Sequence, residues 1–205
     1  MLTLDEFCEK HSQVALAFSG GCDSTYLLFA LIDRAVRVKA YFVSSAFQYP
    51  FERGDALRAV QESGVPFEVI ELDILVQEAI CANPPERCYL CKRFIFGEIK
   101  KRMARDGFEV LVDGTNATDD PTRRPGFRAL EEMGVLSPLR LAELSKDEVR
   151  SAARERGLFT ADKPNFSCLA TKVETGTLLD ARLLGEVLQR EIDTKDEVRQ
   201  WNSSN

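Results

Sequence analysis

Short apolar runs alternate along this chain with longer stretches in which apolar residues return every three or four positions. Residues 14–18 (Val-Ala-Leu-Ala-Phe), 36–43, 67–72 and 109–112 are runs of the first kind and predict buried strands. Residues 25–34 and 51–63 have helical spacing, as does the segment carrying Leu90, Phe94, Ile95, Ile99 and Met103. Gly64 and Gly107 end two of these helices, and Pro84-Pro85 breaks the chain before the third. Residues 73–81 predict a short helix. Past Pro121 the chain is loopier. Ser145 and Glu148 have capping-box spacing and open a helix that stops near Gly157. Residues 164–176 read as a loop, 180 to about 201 as one polar helix, and 202–205 as a frayed end.

Strands alternating with helices predict an α/β fold: an open, mostly parallel sheet with helices on both faces. Ligands in such sheets sit beyond the C-terminal strand ends. The loops 19–24, 44–49 and 113–120 all follow predicted strands, so they can share one crevice. The expected organisation is a nucleotide-binding domain over 1–179 and a C-terminal helix over 180–205, the start or remnant of a second domain.

Composition narrows the chemistry. The 205 residues are 44% hydrophobic and 29% charged, an ordinary globular balance, with a formal charge of −6. A protein built to coat nucleic acid carries a basic excess, so nucleic acid is a disfavoured partner. There is one histidine, His11, against six cysteines. Histidine-rich metal sites are thereby excluded. The charged surface, and an N-terminus without a hydrophobic signal core, predict a reducing, cytoplasmic setting rather than a disulfide framework. No run is long enough to span a bilayer.

The sharpest signal is Ser19-Gly20-Gly21-Cys22-Asp23-Ser24-Thr25, between a strand and a helix. Two glycines let backbone N–H groups approach an anion, and the helix N-terminus adds its partial positive charge. Ser19, Ser24 and Thr25 offer hydroxyl donors. The spacing is neither a Walker A loop nor a dinucleotide fingerprint. Cys22 reads as a space filler in this loop, and Asp23 as a loop-fixing residue or a holder of Mg²⁺.

Cys88 and Cys91 have metal-ligand spacing, but a complete zinc site would need two further ligands. A third thiolate beside the pair would fit a [4Fe-4S] cluster with one open iron. A zinc or redox dithiol and inert thiols are the alternatives. Cys8 and Cys81 read as small apolar fillers.

The loop at 19–24 resembles the signature of the PP-loop ATP pyrophosphatases, which bind ATP, cleave between the α- and β-phosphates and adenylate a carbonyl or carboxylate. Residues 83–92 (Asn-Pro-Pro-Glu-Arg-Cys-Tyr-Leu-Cys-Lys), 113–120, 124–130, 137–139 and 162–170 together resemble the LarE-type sulfur transferases. Those insert sulfur into a pyridinium dicarboxylate mononucleotide on the way to a nickel-pincer cofactor. The resemblance runs from about Val14 to Gly176. It implies ATP, Mg²⁺ and a small nucleotide-like acceptor as ligands, and places Cys168 at the active site. There Cys168 either gives up its own sulfur or holds a cluster with Cys88 and Cys91.

The resemblance also implies nucleotide contacts from Ser44, Gly114, Thr115 and Asn116, and a catalytic role for Lys92. Arg124 and Lys172 become candidates for the substrate phosphate, although Lys172 stands where family members carry arginine. Asp119 and Asp120 are weaker metal candidates. LarE-type proteins continue into a further domain that supplies residues to the substrate-phosphate site. This chain ends at Asn205, so a shortened version, a different acceptor, a homo-oligomer or a completing partner is expected. Rival readings are tRNA thiolation, amide formation on an adenylated acid, and an ATP-binding module without turnover.

Overall fold

The computed structural model describes residues 2–120 and 125–204. Its centre is a four-stranded sheet of β1 (Gln13–Ala17), β2 (Arg37–Ser44), β3 (Phe67–Glu71) and β4 (Leu111–Asp113), in the order β3-β2-β1-β4. Every pairing is parallel, with Leu16 opposite both Ala40 and Val112. β1 lies between two neighbours and is covered on both faces, which is why it reads as an unbroken apolar run. Alternation then sorts its side chains. Val14 and Leu16 join one core with Val38, Phe42 and Val112, while Ala15 joins a second with Tyr41, Ile70 and Leu111.

Helices cover both faces. α1 (Leu4–Lys10), α2 (Cys22–Asp33), α3 (Pro50–Ser63) and α8 (Lys146–Glu155) contribute to the first core. α5 (Arg87–Arg105) closes the second through Phe96, Ile99 and Met103. A third cluster lies beyond the C-terminal strand ends. It unites Phe47, Tyr49 and Phe51 with Leu169, Leu184, Val187 and Val198, so the C-terminal helices share apolar cover with the segment after β2.

The α/β class is the one the sequence pattern predicts, but local differences are informative. α1 was not expected, though Thr3 and Glu6 form a full capping box at its start. α2 begins at Cys22 rather than 25, so Asp23 is already in its first turn. Residues 73–81 are not one helix. A 3-10 turn (Ile74–Val76) is followed by the four-residue α4 (Glu78–Cys81), because Asp73 caps only the first turn, accepting from Leu75 N. The stretch after 121 holds two more helices, α6 (Gly126–Glu132) and α7 (Pro138–Leu141). The C-terminal helix is two helices, α9 (Ala181–Thr194) and α10 (Asp196–Ser204), because Lys195 turns into extended backbone between them. Among the described residues no helix is long and apolar enough to cross a membrane.

Candidate functional site

The loop after β1 is held in shape by its own side chains. Gly20 takes a left-handed φ of 67°, and a Cβ there would lie 2.8 Å from Ala56 N. Ser19 Oγ and Ser24 Oγ are 3.0 Å apart, and Ser24 Oγ donates to the Gly21 carbonyl. The first turn of α2 thus opens directly under the loop, with backbone N–H groups pointing out of the helix end.

A second strand end closes against it. Asp113, the last residue of β4, accepts from Thr115 Oγ1 and Ser137 Oγ, both at 2.6 Å. The next residue, Gly114, packs so closely on α2 that a Cβ would lie 2.8 Å from Ser24 N. Asn116 Nδ2 then donates to Asp23 Oδ2 at 3.3 Å. The same oxygen receives Lys146 Nζ at 2.6 Å. Asp23 Oδ1 is buried without a hydrogen-bond partner among the described residues.

These groups border a cavity of about 470 Å³. Ser19, Gly21, Asp23 and Ser24 line one part of it, with Gly114 and Thr115 beside them; Cys91 and Cys168 line another. Four cations, Lys92, Lys146, Arg150 and Lys163, also border it. Lys92 sits over the rings of Phe96 and Phe127. Such a space, with an anion cradle, cations and thiols along one wall, suits a phosphorylated ligand being brought to a sulfur nucleophile.

The remaining sequence candidates are divided between the cavity and its surroundings. Thr25 is fully buried with an Oγ1 that has no partner among the described residues, and Cys22 is packed in the first core while also bordering the cavity. Ser44 ends β2 without lining the cavity; its neighbour Ser45 does. Gly20 and Asn116 act one layer back, through backbone and Asp23 respectively. Lys172 does not line the cavity; its ammonium lies 3.8 Å from Glu191. Arg124 falls outside the described residues. Asp119 lines the cavity and accepts from Asn116 N. His11 caps the end of α1 against the Phe7 ring.

The three cysteines are neighbours, close enough that Cys88 and Cys168 both act on the Cys91 thiol. Cys91 is on α5, and burial pushes its thiol up to about 12, reinforced by Cys168. Cys88 is half-buried outside the cavity lining, and Cys168 is half-buried with Arg87 Nη1 3.8 Å from its Sγ. Among the described residues no group of three or more His, Cys, Asp or Glu side chains is placed to hold a metal ion. Cys88 stands about one helical turn before Cys91 on α5, and Cys91 and Cys168 both border the cavity. For a divalent cation, the Oδ1 of Asp23, unpartnered among the described residues, is an oxygen ligand of the kind Mg²⁺ takes.

Sequence reasoning missed Lys146, Arg150, Lys163 and Glu52. All four line the cavity. Lys163 carried a signal in Asp162-Lys-Pro, yet helical pattern alone places Lys146 and Arg150 on a solvated face. Buried Lys163 donates to the Gly20 carbonyl at 3.1 Å and pairs with Asp55. Burial raises the Glu52 carboxyl above its ordinary value.

A parallel sheet carrying this loop at the end of β1, with a second strand end packed on the following helix, defines a PP-loop ATP pyrophosphatase fold. Comparison with known proteins narrows the class. The chain is 31% identical to an uncharacterised protein of Synechocystis sp., over 92% of this chain and 71% of that protein. It is 30% identical to a pyridinium-3,5-bisthiocarboxylic acid mononucleotide synthase of Lactiplantibacillus plantarum, over 87% of this chain and 66% of that enzyme. A tRNA-specific 2-thiouridylase of Fervidobacterium nodosum is 24% identical over 74% of this chain and 54% of its own length. No family model matches. The chain belongs to the LarE-type family of the PP-loop superfamily. It spans 62%, 71% and 66% of the length of three of these relatives, the first an uncharacterised protein of Methanocaldococcus jannaschii.

Proposed function

We propose that this chain is an ATP-dependent sulfur transferase that adenylates a carboxylate of a small nucleotide-like acceptor, of the pyridinium dicarboxylate mononucleotide class, and replaces AMP with sulfur from Cys168. The observation that carries the reading is the single cavity bordered by both the 19–24 loop and Cys168.

The loop amides and the start of α2 hold the phosphates, and Ser19 and Ser24 orient them by hydroxyl donation. Mg²⁺, held by Asp23, would neutralise the β- and γ-phosphates. The acceptor carboxylate attacks the α-phosphorus and pyrophosphate leaves. Lys92, in the same wall as Cys91, supplies positive charge to the acceptor as two anions meet. The Cys168 thiolate, steadied by Arg87, then attacks the acyl carbon and AMP departs, leaving a thioester. Loss of the Cys168 Cα proton to water and cleavage of its Cβ–S bond then form the Cα=Cβ double bond, freeing the thiocarboxylate and leaving dehydroalanine.

The similarity to tRNA thiouridylases supports the adenylating half equally well. The net charge of −6 favours a small acceptor over a polyanion.

The test is pyrophosphate release from ATP with a pyridinium dicarboxylate mononucleotide, followed by intact mass. Acceptor-dependent release and loss of one hydrogen sulfide from Cys168 support the reading. Release without that loss, with about four irons per chain after anaerobic purification, moves the sulfur source to a cluster. No pyrophosphate with any acceptor overturns the enzyme assignment.

A further inference from the structure

Lys146 is the first residue of α8, and its backbone is pinned on both sides. Ser145 and Glu148 form a capping box around it, and its own N–H donates to Thr118 Oγ1 at 2.9 Å. Its side chain, by contrast, is held by one carboxylate oxygen, Asp23 Oδ2. The two side chains are 22% and 21% exposed, so water only partly screens the pair.

The neighbouring cavity cations are committed differently. Arg150 donates to the carbonyls of Ala161 and Lys163, each at 2.7 Å. Lys163 is buried against Asp55 and the Gly20 carbonyl. Both are built into the wall. Lys146 has a fixed root, a flexible stem and a partner whose second oxygen is buried and unused among the described residues.

We propose that Lys146 is a phosphate-binding residue held by Asp23 and handed over on ligand binding. A divalent cation entering with ATP takes the Asp23 carboxylate through Oδ1, displaces the ammonium, and Lys146 turns to the β- and γ-phosphates. A divalent ion outcompetes an ammonium for a carboxylate that can offer it both oxygens. The exchange keeps Asp23 neutralised and moves one positive charge onto the pyrophosphate that leaves. This inference rests on the ATP-binding part of the proposed function.

The experiment measures Mn²⁺ binding to the nucleotide-free full chain, and separately Mg·ATP binding, for wild type, Lys146→Met and Lys146→Arg. Lys146→Met is expected to bind Mn²⁺ about two- to fivefold more tightly, because the competing ammonium is gone. It is expected to bind Mg·ATP about tenfold more weakly or worse, with Lys146→Arg recovering much of the loss. A residue that merely braces α8 would weaken both ligands together. Unchanged or weaker Mn²⁺ binding in Lys146→Met, or unchanged ATP binding, overturns the proposal. Lys146→Gln gives the same reading should the methionine variant not fold. Wild type that binds ATP and releases pyrophosphate while the variants match it sinks this inference alone; wild type that never binds ATP sinks the functional reading with it.

Discussion

Trp201 Nε1 donates a 2.8 Å hydrogen bond to Asp55 Oδ2, joining α10 to α3 across 146 residues of sequence. Asp55 also pairs with Lys163, whose ammonium reaches the Gly20 carbonyl of the phosphate loop. The last helix is therefore three contacts from the loop.

The first prediction follows from that chain. The Asp55–Lys163 pair is buried at 0% and 4% side-chain exposure, so removing one partner strands the other charge. Asp55→Ala should cost about 3–5 kcal/mol in urea unfolding. Trp201→Phe should cost about 1 kcal/mol or somewhat more, since it removes one hydrogen bond and leaves a smaller aromatic ring in place. Both should weaken ATP binding. Full ATP affinity in a folded Asp55→Ala protein would show that the network does not reach the loop.

Glycine substitution separates strain from simple crowding. Gly114→Ala sets a Cβ against backbone of Ser24 on both the N and Cα atoms, which cannot rotate away. The loop must back off α2, at about 1–3 kcal/mol, and ATP affinity should fall with it. Gly134→Ala meets nothing within 4 Å but must hold a φ of 60°, so it should cost about 1–2 kcal/mol without touching ATP affinity. Thermal melts with nucleotide titration compare the two.

Acid should loosen the C-terminal helices. Burial pushes the Glu191 carboxyl up, but hydrogen bonds from Lys195 and Tyr49, with Lys172 nearby, more than offset it and hold it below its ordinary 4.5. A carboxylate lowered in the folded state contributes stability that is present above about pH 4.5. That contribution is lost as pH falls through the lower folded value. Unfolding free energy of wild type should drop across this window, and Glu191→Gln should flatten the drop. An identical acid limb in both proteins would show that the Glu191 contacts carry no net stabilisation.

Cys168→Ala should divide the reaction. Pyrophosphate release should persist, because the phosphate loop is untouched, while sulfur transfer to the acceptor should be lost. Cys88→Ala should leave both largely intact, as Cys88 does not line the cavity. Loss of transfer in Cys88→Ala, together with loss of bound iron, would show that the three thiols gather round a cluster after all.

The strands, the helices between them and the phosphate loop were legible because each depends on residues close in sequence. Val14 to Phe18 reads as a buried strand, and Ser19 to Ser24 as an anion loop, from spacing and side-chain type alone. The breaks at Gln77, before α4, and at Lys195 were not legible, since a one-residue kink barely changes apolar spacing. α6 was hidden because its seven residues span under two turns.

The sequence by itself determined the α/β class, the loop and the identity of the thiols. Only the tertiary structure decided which cations meet that loop. Lys146 and Lys163 lie 123 and 143 residues from their partners Asp23 and Gly20. Nothing in local periodicity separates a lysine that is solvated from one that folding aims into a cavity. Apolar burial sets the path of the backbone; where a charged side chain then ends up depends on which distant carboxylate or carbonyl that path brings within reach.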